Sequence, residues 1–259
     1  MGTIIAVANQ KGGSGKTTTT MSLGASLAEL GHGVLMVDMD PQASLTAGCG
    51  IYGRGGYPSG TTMYHVLLGL AALPDAVVRV ENNFDLATSN IDLAAAELQL
   101  ADRPSRELTL RNAFHGFSDY YDYILVDCPP SFGLLTLNTL AAAHSVLIPV
   151  TADFFTALGL RLMLETVSEL KAGINPGLLI KGVLFTRFDR RTRHSREILS
   201  ETQASLAPKV RVFDITVRES VRFKECPSVG QSILRWAPAS DGARSYRQLA
   251  ALVAGADGS

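Results

Sequence analysis

Short apolar runs alternate along the chain with longer stretches in which leucine, alanine and valine recur every three or four residues. The runs at 4–8, 34–38, 84–88, 123–127, 146–150, 180–186 and 210–213 read as strands. The stretches at 17–30, 62–69, 93–102, 108–117, 134–142, 157–171, 195–206 and 243–253 read as helices. The first of these carries Leu23, Leu27 and Leu30 on one face and stops at Gly31, a residue suited to a C-terminal cap. Strand and helix in regular alternation predict an α/β fold: a mostly parallel, twisted sheet flanked by helices on both faces, in three layers. No repeat and no long linker interrupts the pattern, so residues 1–259 are expected to form a single domain. The glycine-rich stretch 48–60 reads as a surface loop, and residues 254–259 are expected to fray.

Composition narrows the class. Hydrophobic residues make up 46% and charged residues 18%, which suits a soluble globule with a large core. No apolar run approaches the roughly 18 residues that span a bilayer. Cys49, Cys128 and Cys226 lie far apart without a CxxC pair, which points to a reducing cytoplasm and away from a disulfide framework or zinc site. The net charge of -1 hides an asymmetry. Residues 1–180 hold 9 Lys+Arg against 16 Asp+Glu, whereas residues 181–247 hold 14 against 7. That basic C-terminal third is what an anionic partner requires.

The sharpest chemical signal follows the first strand. Asn9-Gln10-Lys11-Gly12-Gly13-Ser14-Gly15-Lys16-Thr17-Thr18 leads directly into a helix. A glycine-rich loop between strand and helix aims several backbone N–H groups and the positive end of the helix dipole at one point, which suits a triphosphate. Gly12, Gly13, Ser14, Gly15 and Thr18 would cradle the phosphates, Lys16 would reach the β- and γ-phosphates, and the Thr17 hydroxyl would ligate Mg²⁺. The ordinary pattern places glycine where this chain has Gln10, and Lys11 is an additional lysine. Two further strands end in carboxylates, in Asp38-Met39-Asp40-Pro41-Gln42 and in Asp127-Cys128-Pro129-Pro130. A carboxylate beside a γ-phosphate can orient or deprotonate the attacking water, a role given to Asp40. The strand ending at Asp127 resembles a Walker B strand, whose terminal aspartate holds Mg²⁺, and Asp38 either supports the metal or bonds to the phosphate loop.

With Lys11-Gly12-Gly13-Ser14-Gly15-Lys16-Thr17-Thr18 as a deviant Walker A motif, the chain resembles the ParA/MinD superfamily of P-loop NTPases, and most closely ParA/Soj-type partition ATPases. Asp38-Met39-Asp40-Pro41-Gln42 and the strand ending at Asp127 match that family's next two motifs, and landmarks such as Leu134-Leu135-Thr136-Leu137-Asn138 and Glu225-Cys226-Pro227-Ser228 follow in family order. The stretch from Asp153 to Gly159 lacks the family's usual glutamate, and Cys226 stands where alanine is common.

The resemblance implies ATP and Mg²⁺ as cofactors and slow ATP hydrolysis, with Asp40, Lys11 and Lys16 as the catalytic set. It implies an ATP-sandwich homodimer in which Lys11 reaches the partner's nucleotide, nonspecific double-stranded DNA as a ligand, and a ParB-like activator. Arg187 and Arg218 fall at the ends of the two segments that form the family's base pocket. By position, Arg191, Arg193 and Arg222 are the DNA candidates, the alternative being a solvated helix face with ion pairs to residues such as Glu197 and Glu201. Such a protein is expected in the cytoplasm, on the nucleoid when ATP-bound, moving a chromosome locus, plasmid or protein cargo. The rival reading is a MinD-like positioning scaffold without DNA binding. MinD-like proteins end in a basic amphipathic helix, whereas residues 249–255 here carry no lysine or arginine, so no membrane partner is expected. Larger ParA proteins carry an N-terminal helix-turn-helix domain, whereas the first strand here is placed at residue 3, so sequence-specific repression is not expected.

Overall fold

The computed structural model describes residues 2–51, 60–81, 84–207 and 209–257. Among the described residues, eight strands form one sheet: β1 (Thr3–Val7), β2 (Val34–Asp38), β3 (Val77–Glu81), β4 (Phe84–Ala87), β5 (Tyr123–Asp127), β6 (Ser145–Thr151), β7 (Leu179–Phe188) and β8 (Val212–Arg218). Their order is β3-β4-β2-β5-β1-β6-β7-β8, and every neighbouring pair is parallel except β3 with β4.

Successive side chains of a strand face opposite sides of the sheet, and each side has its own core. Ile4, Leu35, Val37, Ile124, Val126, Val146 and Ile148 point to one side. There they pack against α3 (Met63–Leu68), α4 (Leu93–Leu100), α5 (Thr109–Phe114), α6 (Leu134–Ala142) and α7 (Thr156–Ala172), with α8 (Arg193–Leu206) at the edge. Ile5, Val34, Met36, Leu125 and Leu147 point to the other side. They meet α1 (Lys16–Glu29), α2 (Ser44–Gly48), α9 (Val221–Val229), α10 (Ile233–Trp236) and α11 (Asp241–Asp257).

Helix α1 begins with a run of threonines, which are poor helix formers, so tertiary packing and not propensity sustains it. Leu23 and Leu27 are fully buried, and Gly24 lets the helix approach β2: a Cβ there would lie 3.0 Å from Met36 Sδ.

The three-layer expectation is borne out, with local differences. Strand β3 was not anticipated, because Val77-Val78-Arg79-Val80-Glu81 mixes charge into an edge position that only needs one covered face. Strand β8 runs Val212–Arg218 where the apolar run predicted 210–213; Asp214 and Thr216 alternate with apolar residues along this edge strand. Helix α9 was missed because it buries only Cys226 and contains Pro227. Helix α2 reaches into the stretch expected to be a loop, of which residues 52–59 lie outside the described residues. At the C-terminus α11 continues to Asp257, past the point where fraying was expected, and residues 258–259 lie outside the described residues.

Candidate functional site

The carboxyl ends of β1, β5 and β2 lie side by side in the middle of the sheet, which is where open α/β sheets collect ligand-binding groups. The loop after β1 is tied down at several points. The Asn9 side chain donates to the Pro149 carbonyl at 2.7 Å and accepts from the Lys11 N–H at 3.0 Å. Thr186 Oγ1 donates to the Ser14 carbonyl at 2.7 Å. Gly13 and Gly15 have φ of 73° and 83°, left-handed values that L side chains rarely adopt, and Gly15 sits at the N-cap of α1. The loop thereby turns into the helix as a phosphate cradle requires.

Lys16 is the one lysine or arginine among the described residues whose side chain is buried, with 7% exposure. Its ammonium donates to the Lys11 carbonyl at 3.2 Å. Burial pulls its pKa down, while the neighbouring carboxyl groups of Asp127 and Asp40 push it back up. The register of β2 and β5 sets Asp38 directly opposite Asp127, and both are fully buried. Burial holds the Asp127 carboxyl well above the usual carboxylate range and adjacent Asp38 adds to this, while a Thr17 hydrogen bond and the Lys16 charge oppose it. Asp127 Oδ2 has no hydrogen-bond partner. A buried, unsatisfied carboxylate oxygen beside a phosphate loop and near the Thr17 hydroxyl fits a divalent cation.

Asp38 is engaged differently. Its Oδ2 accepts from the Thr46 N–H at 2.8 Å and the Thr46 hydroxyl at 2.7 Å, and its Oδ1 accepts from the Asp40 N–H at 3.1 Å. Burial raises its pKa to about 6 against the lowering effect of these bonds. These bonds tie α2 and Asp40 to the end of β2, and none of them reaches the phosphate loop, bonding to which was one of the two roles expected of Asp38. Asp40 lines the cavity beside the loop, its Oδ1 accepting from the Gln42 N–H at 2.9 Å.

That cavity has a volume of about 600 Å³. Gly12, Gly13, Gly15, Lys16, Thr17, Thr18 and Asp40 line one part of it, and Arg187, Val217, Arg218, Phe223, Pro227 and Tyr246 line another. The first part gathers backbone N–H groups and an ammonium, and the second offers apolar and aromatic surface beside two guanidinium groups. Arg187 adopts a left-handed φ of 49°, places Nη1 3.4 Å from the Gly13 carbonyl and pairs with Glu219 at 3.0 Å. Arg218 lines the cavity and pairs with Asp241 at 3.1 Å. Phe223 and Tyr246 escaped the sequence reading. Neither stands in a glycine-rich motif, and only packing of α11 against α1 and β8, and of α9 against α2 and α10, brings them here.

Lys11 and the surface arginines lie outside the cavity lining. Lys11 forms an ion pair with Asp153 of its own chain. Arg191 pairs with Asp189, Arg193 with Glu197 and Arg222 with Glu225. Arg191 sits in the β7–α8 turn and Arg193 opens α8, whereas Arg222 belongs to α9.

A protein-family profile described as an AAA domain matches residues 2–180. The chromosome-partitioning ATPase Soj of Treponema pallidum is 40% identical over 100% of this chain and 99% of its own length. The chain belongs to the ParA/Soj family of partition ATPases. An uncharacterised protein of Mycobacterium tuberculosis is 46% identical over 95% of this chain and 77% of its own length. Among solved structures, cobyrinic acid a,c-diamide synthase from Mycobacterium smegmatis with a bound ATP analogue and magnesium has a TM-score of 0.85 at 36% identity, covering 99% of this chain and 96% of that one. A Cyanothece McdA variant in complex with ATP has a TM-score of 0.86 at 28% identity, covering 98% and 96%. The sequence resemblance to ParA/Soj proteins is thus upheld along the full chain, beyond its nucleotide motifs.

Proposed function

We propose that this ParA/Soj family member is an ATP-driven switch that binds Mg·ATP, dimerises across the nucleotides, holds nonspecific duplex DNA in that state and is reset by hydrolysis. The observation that carries the reading is one cavity lined by the glycine loop, the buried ammonium of Lys16 and Asp40, with the unsatisfied Asp127 oxygen buried close to Lys16. ATP and magnesium are bound in structures of relatives that share the fold.

In this reading the loop N–H groups and Lys16 bind the β- and γ-phosphates, and Arg187, Arg218, Val217 and Phe223 enclose the base. Thr17 and Asp127 would hold Mg²⁺, which when bound neutralises charge on the phosphates. Asp40 orients the attacking water, and Asp38 positions Asp40 through the Asp40 N–H. Lys11 completes the partner's site, and a ParB-like activator raises a slow basal rate by completing that geometry. Arg191, Arg193 and Arg222 contact phosphates of duplex DNA. Their present ion pairs are exposed, so exchanging them for phosphates costs little. Among the described residues no helix is long and apolar enough to cross a membrane.

ATP turnover and DNA affinity measured together test the proposal. The switch requires hydrolysis and tighter binding of random-sequence duplex with ATP than with ADP. Equal DNA affinity in both nucleotide states would leave a positioning ATPase without a DNA switch, and absent turnover would leave a nucleotide-binding scaffold.

A further inference from the structure

Lys11 is held in its own chain by a contact that follows from the register of the sheet. Strands β1 and β6 pair with Ile5 opposite Ser145 and Val7 opposite Leu147. The loop beyond β1 keeps that offset: Asn9 bonds to Pro149, and the Lys11 ammonium donates to the Thr151 hydroxyl at 3.1 Å. Just beyond Thr151, Asp153 brings its carboxylate to the same ammonium. That carboxylate is itself oriented, Oδ2 accepting from the Thr151 hydroxyl at 2.5 Å and Oδ1 from the Phe155 N–H at 3.1 Å. A lysine destined for a partner's nucleotide must first leave this nest.

We propose that Asp153 is a positioning residue that withholds Lys11 within the monomer, so that opening the Lys11–Asp153 contact is a step of dimerisation. This rests on the sandwich reading of Lys11 given above. The Lys11 and Asp153 side chains are 38% and 35% exposed, so the contact is partly solvated and shifts an equilibrium by about 2- to 5-fold. Two such contacts open per dimer, and the effects multiply to about 4- to 25-fold in the dimer dissociation constant.

The test uses the full chain with a slowly hydrolysed ATP analogue. Sedimentation across a concentration series should show Asp153→Asn dimerising about 4- to 25-fold more tightly than wild type. Asp153→Glu, which keeps a carboxylate for the ammonium, should lie near wild type. Loss of a merely structural residue would not tighten association, so unchanged or weaker dimerisation of Asp153→Asn overturns the proposal. A second readout does not need the dimer. Acetic anhydride labelling of the nucleotide-free chain, read by mass spectrometry against Lys171, should modify Lys11 several-fold faster in Asp153→Asn. If no variant dimerises with nucleotide, the sandwich reading falls, and equal Lys11 labelling in both proteins then overturns the restraint by Asp153 as well.

Discussion

Replacing Lys16 with methionine removes one positive charge while keeping the length of a side chain that is 7% exposed. Two unit charges about 4 Å apart interact by about 4 kcal/mol at the effective dielectric constant of about 20 that suits such sites. Loss of that attraction to the phosphates corresponds to an affinity about 10³-fold weaker. The nucleotide-free protein should change far less. Burial already disfavours the Lys16 charge, and relief of that penalty offsets the counter-charge lost to Asp127 and Asp40. Thermal unfolding with and without ATP separates the two effects. At an ATP concentration 100 times the wild-type Kd, bound nucleotide adds about 2.7 kcal/mol of stability. For a chain of this size that raises Tm by about 5 to 10 °C. Lys16→Met should start from nearly the same Tm and rise by less than about 0.5 °C at that ATP concentration. A variant that keeps more than about a tenth of the wild-type affinity, measured by calorimetric titration, would refute the role of this loop as the triphosphate site.

Asp40→Asn keeps an oxygen for the Gln42 N–H and loses the carboxylate charge, so it should bind ATP and dimerise while turnover falls by about 10²- to 10⁴-fold; normal turnover in a phosphate-release assay would move the water-orienting role elsewhere. Asp38 has a folded pKa of about 6 against an ordinary 3.8, so the folded chain binds its proton more tightly between about pH 4 and pH 6. Its contribution to stability therefore falls as pH rises through that window, by up to about 3 kcal/mol, and stays low above it. The difference in unfolding free energy between wild type and Asp38→Asn, from urea titrations at pH 4 to 7, should follow that course; a flat difference contradicts it. Arg191→Glu or Arg222→Glu should weaken duplex binding and reduce its salt dependence by about one ion per lost phosphate contact, with ATP-dependent dimerisation intact. Duplex binding that survives both reversals together would remove the basic third from the DNA surface.

The strand–loop–helix order around Lys16 was legible because each part is local: five apolar residues, a run of glycines that permits positive φ at Gly13 and Gly15, then a helix. The carboxylates Asp38 and Asp127 were legible for the same reason, each ending a short apolar run that becomes a central strand, with Asp40 two residues beyond the first. Their hydrogen-bond partners were not. Only the pairing of β2 with β5 sets Asp38 opposite Asp127, and only the fold of α2 gives Asp38 to Thr46 while leaving an Asp127 oxygen unsatisfied. The cavity wall at Val217, Phe223 and Tyr246 was likewise beyond local pattern, since it assembles from an edge strand and two helices remote in sequence from the glycine loop. The Lys11–Asp153 pair spans 142 positions and depends on which strands are neighbours, a quantity that hydrophobic periodicity does not encode. Periodicity reports which face of an element avoids water, and so it determined the layers. Sheet order and register are set by the packing of the whole chain, and they decided which charged groups meet.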